Sequence, residues 1–250
     1  MGIRFEHDRR KPETPRQMIV REAKSGFRLI AQHDHALVSG EFARRVSGDW
    51  LGEAPLREDV LFAVSNHDVG WKRLDSEVLW NEERGRPYSF VDYPAGEKMA
   101  AYSEGLDLVE AHSPYAALLC STHYGSFVKR SEVPAEVRFR EREEVRRERI
   151  EASMDVPETF GRDFRLLQLC DGLSLFVCLN DARGGVHPWH ENGFEFSGRK
   201  FHPVWKDEHS LGFDPNLLSE GFEVSLPYRV AAAGDGSVVE RNTSRLRVTL

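Results

Sequence analysis

The sequence predicts a mainly α-helical protein of the α+β class: a helical bundle with an N-terminal β-hairpin and a small C-terminal antiparallel β appendage. Two observations carry this prediction. Apolar residues recur at helical spacing in most segments between residues 34 and 181. Beyond residue 181 apolar and polar residues alternate in short runs separated by glycine, proline and asparagine, as in antiparallel strands. We therefore expect a helical domain at residues 17–180 and a β-rich appendage packed on it at 181–250.

The N-terminal part contains the predicted tail and hairpin. Residues 1–16 are polar and include two prolines, which favours a flexible tail. The following segment, QMIVREAKSGFRLIAQ, has two β-prone runs around Lys24-Ser25-Gly26 and predicts a hairpin. Residues 72–98 are irregular and contain RGRPYSFVDYPAGE, which indicates a long loop that covers another part of the molecule.

The helices are predicted from apolar periodicity and from capping residues. Asp34 is the expected N-cap of the first helix, and Gly70 fits a left-handed conformation just after the second. Ser113-Pro114 is typical of an N-cap followed by the first helical residue. The densely charged fourth segment predicts a solvated helix with pairs such as Glu143 and Arg147, the alternative being a lid or a partner-binding element. The predicted helices cover about residues 34–46, 56–67, 113–127, 132–155 and 164–181.

The composition is that of a globular protein and disfavours nucleic-acid-binding and membrane proteins. With 250 residues, 40% hydrophobic and 30% charged, the chain can bury a substantial core. A net charge of −7 disfavours nucleic acid as a partner and leaves a small-molecule substrate. No stretch is apolar and long enough for a signal peptide or a membrane span. Three cysteines without Cys-x-x-Cys spacing predict reduced thiols and a cytoplasmic protein, and a homo-oligomer is compatible with all of these features.

Asp171 is the residue that most strongly indicates a functional site. It lies within FRLLQLCDGLSLFVCLND, which is apolar on almost every face, and an ionised carboxylate there needs a cation, a metal or good hydrogen-bond donors. Gln168 and Ser174, three residues to either side, share its helical face. The alternative is an aspartate that backbone amides and hydroxyls satisfy.

The doublet His67-Asp68, in SNHDVGW, is the second feature. The chain contains His-Asp three times, so the doublet alone is not informative. At the end of a helix, however, an imidazole and a carboxylate both extend past the last turn and can converge on one cation. A simple hydrogen bond at the helix end is the alternative.

Two further histidines are predicted to face inward. His35 shares the apolar face of its helix, whereas His33 lies about 200° away on the wheel. His123 likewise shares a face with Leu119 and Phe127. His112 precedes the same helix, roughly 16 Å from His123 at the helical rise, so it is excluded from the site. A satisfied core histidine is the alternative for His35.

The candidate residues follow each other along the chain as a His on a helix, a His-Asp doublet at a helix end, a further His and a distant Asp. In this order the sequence resembles the HD-domain metal-dependent phosphohydrolase superfamily. The motifs AVSNHDVGW and LQLCDGLSL carry the resemblance, which covers about residues 17–180. More narrowly, MIVREAKSGFRLIAQHDHA and NHDVGW resemble an uncharacterised bacterial family of unknown function. The resemblance implies an HD-type helical bundle.

The resemblance also implies a metal centre with His35, His67, Asp68 and Asp171 as ligands. His123 would bind a second metal or act as a general acid, and Asp68 and His123 would be the catalytic residues. A mixed nitrogen and oxygen set suits one or two ions of Mn, Fe, Ni, Co or Zn. The implied activity is hydrolysis of a small phosphomonoester or phosphodiester, such as a nucleotide, by a metal-activated water. The alternatives are a non-catalytic metal-stabilised sensor or scaffold and a di-iron oxygenase of the HD type.

The substrate contacts depart from the pattern of that superfamily. Many members have lysine directly after the glycine, but here Trp71 follows Gly70, and the basic residues come next. Lys72 and Arg73 are therefore candidate substrate contacts, together with Arg86 and Tyr88 from the long loop. A rival metal cluster of His187, His190 and His202 is disfavoured, because no cysteine or carboxylate stands at a zinc spacing beside them.

Overall fold

A computed structural model describes residues 18–250 except 24, 53 and 77. The predicted tail at residues 1–16 lies outside this range. The predicted hairpin is present as strand β1 (Ile19–Ala23) paired antiparallel with strand β2 (Gly26–Ile30). The other elements up to residue 179 are α1 (Gln32–Arg45), α2 (Gly48–Leu51), α3 (Arg57–Asn66), α4 (Trp71–Leu74), β3 (Trp80–Asn81), β4 (Arg86–Pro87), α5 (Ala95–His112), α6 (Pro114–Val128), α7 (Pro134–Ser153) and α8 (Phe160–Leu179).

The C-terminal strands belong to a sheet that is much larger than the predicted appendage. After a short 3-10 helix (Pro188–His190) come β5 (Phe194–Phe196), β6 (Arg199–Asp207), β7 (Ser210–Asp214), β8 (Phe222–Ala232) and β9 (Val238–Val248). They form one seven-stranded sheet with the N-terminal hairpin, in the order β1-β2-β8-β9-β7-β6-β5. The prediction of a mainly helical bundle was therefore wrong, and the fold is α+β with helices packed on a sheet.

Long-range strand pairing explains this difference. Strand β2 pairs antiparallel with β8, whose residues lie about 200 positions further along the chain, as in the pair Leu29 and Arg229. Local alternation predicts that each strand exists but does not show which distant edge it joins. The helices cover the sheet through aromatic contacts: the ring of Phe42 in α1 lies 5.2 Å from that of Phe222, and Phe176 in α8 stacks on Trp205 at 6.0 Å.

Helix α5 begins inside the segment that was predicted as a loop. Met99, Tyr102, Leu106 and Val109 are buried at helical spacing along it. The helix approaches the turn after α3 so closely that a Cβ on Gly70 would lie 2.0 Å from the carbonyl oxygen of Ala101. Gly70 has φ −63°, so the left-handed conformation expected for it is wrong, and close packing is the reason for the glycine.

Two capping and pairing predictions also need correction. Asp34 lies in the first turn of α1, and the N-cap residue is Ala31. Ser113, in contrast, caps α6 as predicted, since its hydroxyl accepts a hydrogen bond from the amide of Ala116 at 3.0 Å. In α7 the buried Glu143 pairs with Arg146 at 2.9 Å, one residue before the predicted partner Arg147. This charged helix therefore has a buried face as well as a solvated one.

None of the helices among the described residues combines the length and the apolar composition that a bilayer span requires.

Candidate metal centre

Three helices bring four of the predicted ligands together. His35 comes from α1, His67 and Asp68 follow α3 directly, and Asp171 comes from the middle of α8. Nε2 of His35 lies 3.0 Å from Oδ1 of Asp171, and Nε2 of His67 lies 3.5 Å from the same oxygen. One donor atom from each of these three side chains lies within 4.8 Å of the other two.

These spacings match the edges of a metal coordination shell. Metal bonds to imidazole nitrogen and carboxylate oxygen are about 2.0–2.2 Å long, so adjacent ligand atoms lie about 3.0–3.5 Å apart in octahedral or tetrahedral geometry. Asp68 is a further candidate, because its Oδ2 lies 3.7 Å from Nε2 of His35 and 3.6 Å from Nε2 of His67. It lies outside the group of three side chains whose donor atoms are all within 4.8 Å of one another. Imidazole nitrogens together with carboxylate oxygens suit a transition metal.

His67 is held in the tautomer that a metal ligand needs. Its Nδ1 lies 2.8 Å from the carbonyl oxygen of Val64, so Nδ1 donates its proton there and Nε2 is the nitrogen that faces the cluster and that a cation would bind in place of a proton. That Nε2 is buried and has no hydrogen-bond partner. A buried polar atom without a partner is uncommon in proteins, and here a cation in the cluster would satisfy it.

A serine pair orients His35. Nδ1 of His35 contacts the hydroxyl of Ser174 in α8, and that hydroxyl lies 2.8 Å from the hydroxyl of Ser39 in α1. Ser174 is also within 3.2 Å of the carbonyl oxygen of Asp171. The polar stripe predicted on α8 thus includes Ser174, whereas Gln168 is exposed. Hydrogen bonds of this kind fix the ring orientation of a metal-binding histidine.

The start of α1 is fixed by a buried aspartate from another part of the chain. The carboxylate of Asp75, just after α4, accepts a hydrogen bond from the amide of Gln32 at 2.7 Å and a longer one from the amide of His33 at 3.4 Å. It supplies the cap that Ala31 cannot provide. Arg229 of β8 donates to the backbone carbonyl of Asp75 and so connects this cap to the sheet.

Tyr124 binds the doublet from the opposite side. Its hydroxyl lies 2.6 Å from Oδ1 of Asp68 and 2.5 Å from the carbonyl oxygen of His67. The phenol ring stacks on Tyr102 of α5, with ring centroids 3.8 Å apart. Oδ2 of Asp68 therefore remains available while Oδ1 is held in place.

His123 faces the second oxygen of Asp171. Its Nε2 lies 3.6 Å from Oδ2, whereas the imidazoles of His35 and His67 face Oδ1. Nδ1 of His123 is buried and has no hydrogen-bond partner. Asp171 is thus positioned to bridge the first group of ligands and His123.

Charge interactions shift the pKa values of the cluster. Burial alone would raise the pKa of Asp171, but the imidazoles of His35 and His67 hold it well below its ordinary value. Burial alone would lower the pKa of His67, yet the neighbouring carboxylates raise it to about 9. For Asp68 burial dominates and raises the pKa, and for His123 burial lowers the pKa to about 4. Buried carboxylates facing imidazoles form the electrostatic setting that a divalent cation neutralises.

The cluster opens into a cavity of about 360 Å³, a volume that fits a small-molecule ligand. The wall opposite the ligands is aromatic and apolar and includes one basic side chain, Lys98. The lining residues besides the five predicted ligands are Gln32, Phe90, Val91, Lys98, Tyr102, Tyr124, Phe127, Leu175 and Trp189.

The four predicted substrate contacts do not line this cavity. Lys72 and Arg73 are exposed on α4, and Arg73 faces Glu104 at 3.6 Å. Arg86 pairs with Asp92 at 2.7 Å. Tyr88 packs beside Tyr93 with ring centroids 6.1 Å apart. The long loop does cover the cavity, but through Phe90 and Val91, which follow in the same segment.

Lys98 and the aromatic wall were not identified from the sequence. Lys98 and Tyr102 lie one turn apart on α5, the helix that was not predicted. The apolar periodicity of Met99, Tyr102, Leu106 and Val109 would have revealed this helix. Nζ of Lys98 lies 3.9 Å from Glu136, and burial lowers the pKa of its ammonium group.

The histidines left out of the site lie elsewhere. His112 stacks on Phe62 at 3.8 Å and is exposed. His190 accepts a hydrogen bond from the side-chain amide of Asn180 at 3.1 Å, and His202 is exposed. Among the described residues, His35, His67 and Asp171 form the one group whose donor atoms are close enough together for a metal ion.

Comparison with known families gives one match. Residues 18–232 match the model of a family described as "Protein of unknown function (DUF3891)". The chain belongs to the DUF3891 family. The match includes α1 to α8 and the strands up to β8, so all the candidate metal ligands lie within the DUF3891 region. No curated protein and no solved structure matches the chain significantly.

The DUF3891 assignment corrects the resemblance to the HD-domain superfamily, which was wrong. That resemblance depended on a doublet, two single histidines and one aspartate, and so few residues are a weak signature in a chain with three His-Asp dipeptides.

Proposed function

We propose that this protein is a metal-dependent hydrolase that cleaves a phosphomonoester or phosphodiester of a small molecule with a metal-activated water. The observation that supports the proposal is that the buried Nε2 atoms of His35 and His67 approach the same oxygen of Asp171, at 3.0 Å and 3.5 Å, where all three side chains line an open cavity. Burying two imidazoles around one carboxylate costs free energy of desolvation, which a functional site would explain.

The proposed metal site uses His35, His67, Asp68 and Asp171 for one transition-metal ion. Such an ion lowers the pKa of a bound water to about 7 and polarises a phosphoryl oxygen. The water would lose one proton to the solvent and add to phosphorus, the bond from phosphorus to the leaving oxygen would break, and the leaving oxygen would take up a proton. His123, whose Nε2 faces the second oxygen of Asp171, has two proposed roles: it binds a second ion, which a neutral imidazole with a pKa of about 4 favours, or it supplies this proton, which requires a higher pKa in the substrate complex.

Lys98 supports a substrate with a phosphoryl group. It is the one lysine or arginine among the described residues that line the cavity. Its ion pair with Glu136 is long, at 3.9 Å, which leaves the ammonium group free to meet an anion. The expected consequence is that Lys98→Ala raises KM for a phosphoester more than it lowers kcat.

The test combines metal analysis with an activity screen. Protein purified without chelator is assayed for bound Mn, Fe, Ni, Co and Zn, and then for phosphatase and phosphodiesterase activity with each ion. We expect turnover that Asp68→Ala abolishes. Full metal occupancy without turnover on any phosphoester would contradict hydrolysis and favour the metal-stabilised sensor or scaffold.

The metal stoichiometry of His123→Gln separates the two roles proposed for that residue. A loss of one of two ions identifies His123 as a ligand, and an unchanged metal content with reduced kcat identifies it as a proton donor. An oxygenase would instead consume O₂ with a reductant and an organic substrate, which an oxygen electrode detects. A cytoplasmic location remains a prediction that cell fractionation would test.

A further inference from the structure

The mouth of the cavity has a concentration of exposed apolar side chains. Val91 is 58% exposed, Phe127 is 58% exposed and Trp189 is 54% exposed, and all three line the cavity. They come from three separate parts of the chain: the loop after β4, helix α6 and the 3-10 helix. Clustered apolar exposure beside a polar site is typical of a ligand-binding surface.

The aromatic rings continue from this mouth toward the metal ligands. The ring of Phe90 lies 5.8 Å from that of Trp189 at an interplanar angle of 73°, so the loop and the 3-10 helix meet across the opening. The ring of Phe127 lies 4.6 Å from the imidazole of His123 in an edge-to-face arrangement. An incoming group at the mouth would therefore meet ring faces and edges immediately before the metal site.

Resting on the proposed hydrolase function, we propose that the substrate is a phosphoester whose leaving group contains an aromatic ring. Phe90, Phe127 and Trp189 hold this ring at the mouth, and the phosphoryl group extends to Lys98 and the metal ligands. A planar ring fits because aromatic side chains interact with it through offset and edge-to-face contacts beyond simple area burial. The cavity volume of about 360 Å³ suits a ring with one phosphoryl group.

The experiment measures binding separately from hydrolysis. Phenylphosphonate, cyclohexylphosphonate and methylphosphonate are titrated calorimetrically into the Mn²⁺-loaded protein. The phenyl and cyclohexyl compounds have the same phosphonate group and hydrocarbon rings of similar size, but only the phenyl ring has a π face. We expect phenylphosphonate to bind about fivefold more tightly than cyclohexylphosphonate, and methylphosphonate to bind most weakly.

The variants locate this preference at the mouth. Trp189→Ala should remove most of the phenyl preference. Val91→Ala, which deletes a neighbouring apolar group, should weaken both cyclic phosphonates alike. Val145→Ala is the control, since Val145 is 65% exposed on α7 and does not line the cavity.

Equal affinity for the phenyl and cyclohexyl compounds, a preference that persists in Trp189→Ala, or no binding of any phosphonate would overturn the inference. Hydrolysis of phenyl phosphate is assayed in parallel. If the phenyl preference is present but no phosphoester is hydrolysed, the aromatic binding site stands and the proposed hydrolase function fails. If a phosphoester is hydrolysed but the phenyl preference is absent, the proposed hydrolase function stands and the aromatic binding site fails.

Discussion

Two groups of histidines in this chain lie in opposite chemical environments. His35, His67 and His123 converge on the carboxylate of Asp171, and two of their buried ring nitrogens have no hydrogen-bond partner. The C-terminal group, His187, His190 and His202, lies close together in sequence, and Asp171 acts on His190 only as a minor charge interaction. There Nδ1 of His187 accepts from the backbone amide of Trp189 at 3.3 Å, and Nδ1 of His190 accepts from Asn180.

The difference indicates which features favour a candidate metal site over a group of structural histidines. Closeness in sequence alone would favour the C-terminal histidines as metal ligands, whereas the histidines of the other group are spread over positions 35 to 123. The informative features are convergent carboxylates and nitrogens held in one tautomer with their lone pair unused.

Asp171→Asn should reduce metal content to a small fraction of the wild-type value. The amide keeps the size of the side chain but removes the charge that faces three imidazoles. Metal content is measured by mass spectrometry after dialysis. His187→Ala is the control from the other histidine group and should leave metal content unchanged, and an Asp171→Asn protein with full metal content would remove this residue from the ligand set.

Ser174→Ala should weaken metal binding about 10- to 100-fold, because the partner of Nδ1 in His35 is lost. The dissociation constant is measured by competition with a chelating dye. Ser153→Ala removes a comparable hydroxyl, which bonds to Ile150 on α7 at 2.8 Å, and should have no effect on metal affinity. Equal affinities in the two variants would show that Ser174 does not support the site.

Tyr124→Phe should lower the free energy of unfolding by about 1–3 kcal/mol, because a buried carboxylate loses its donor. Tyr115→Phe is a matched control, since the hydroxyl of Tyr115 donates to the buried Asp163 at 2.8 Å, far from the cavity. Denaturant unfolding should give similar losses for both variants. Only Tyr124→Phe should also alter metal affinity, and identical metal binding in the two would contradict a role for Tyr124 at the site.

The smallest effect concerns pH and the C-terminal histidines. Burial lowers the pKa of His190 to about 4, below its ordinary value of 6.5. The unfolded chain therefore binds more protons than the folded chain between these values, and stability falls as the pH falls from 6.5 toward 4. His190→Gln keeps an acceptor for Asn180. In unfolding curves measured between pH 4 and 7, the free energy of unfolding should fall less steeply with falling pH, and the slope should change by the equivalent of at most one bound proton. An unchanged slope would show that other groups account for the acid sensitivity.

The site was more predictable from the sequence than the fold was. A helical wheel chose His35 over His33, and the structure buries His35 within the cluster while His33 lies outside the cavity lining. The carboxylate of Asp171 on an apolar helix required compensation, and imidazoles provide it. These inferences depend on one helix at a time, so local periodicity is sufficient for them.

The remaining features depend on contacts between distant segments. The pairing of β2 with β8 determines that one sheet forms, and nothing in either strand specifies the other. Lys98 could not be identified as a cavity residue without α5, because the predicted loop at 72–98 includes only the first four residues of this helix. Lys72 and Arg73 follow the doublet closely, but α4 turns them away from the cavity into solvent.

The link from Arg229 to Asp75 has a consequence for the order in which the protein matures on the ribosome. Asp75 caps the helix that carries His35, and Arg229 lies in β8, which is translated after every proposed ligand. A nascent chain can therefore contain all the ligating side chains while the helix start is still unsupported. High-affinity loading with metal at the proposed site should therefore follow the synthesis and pairing of β8.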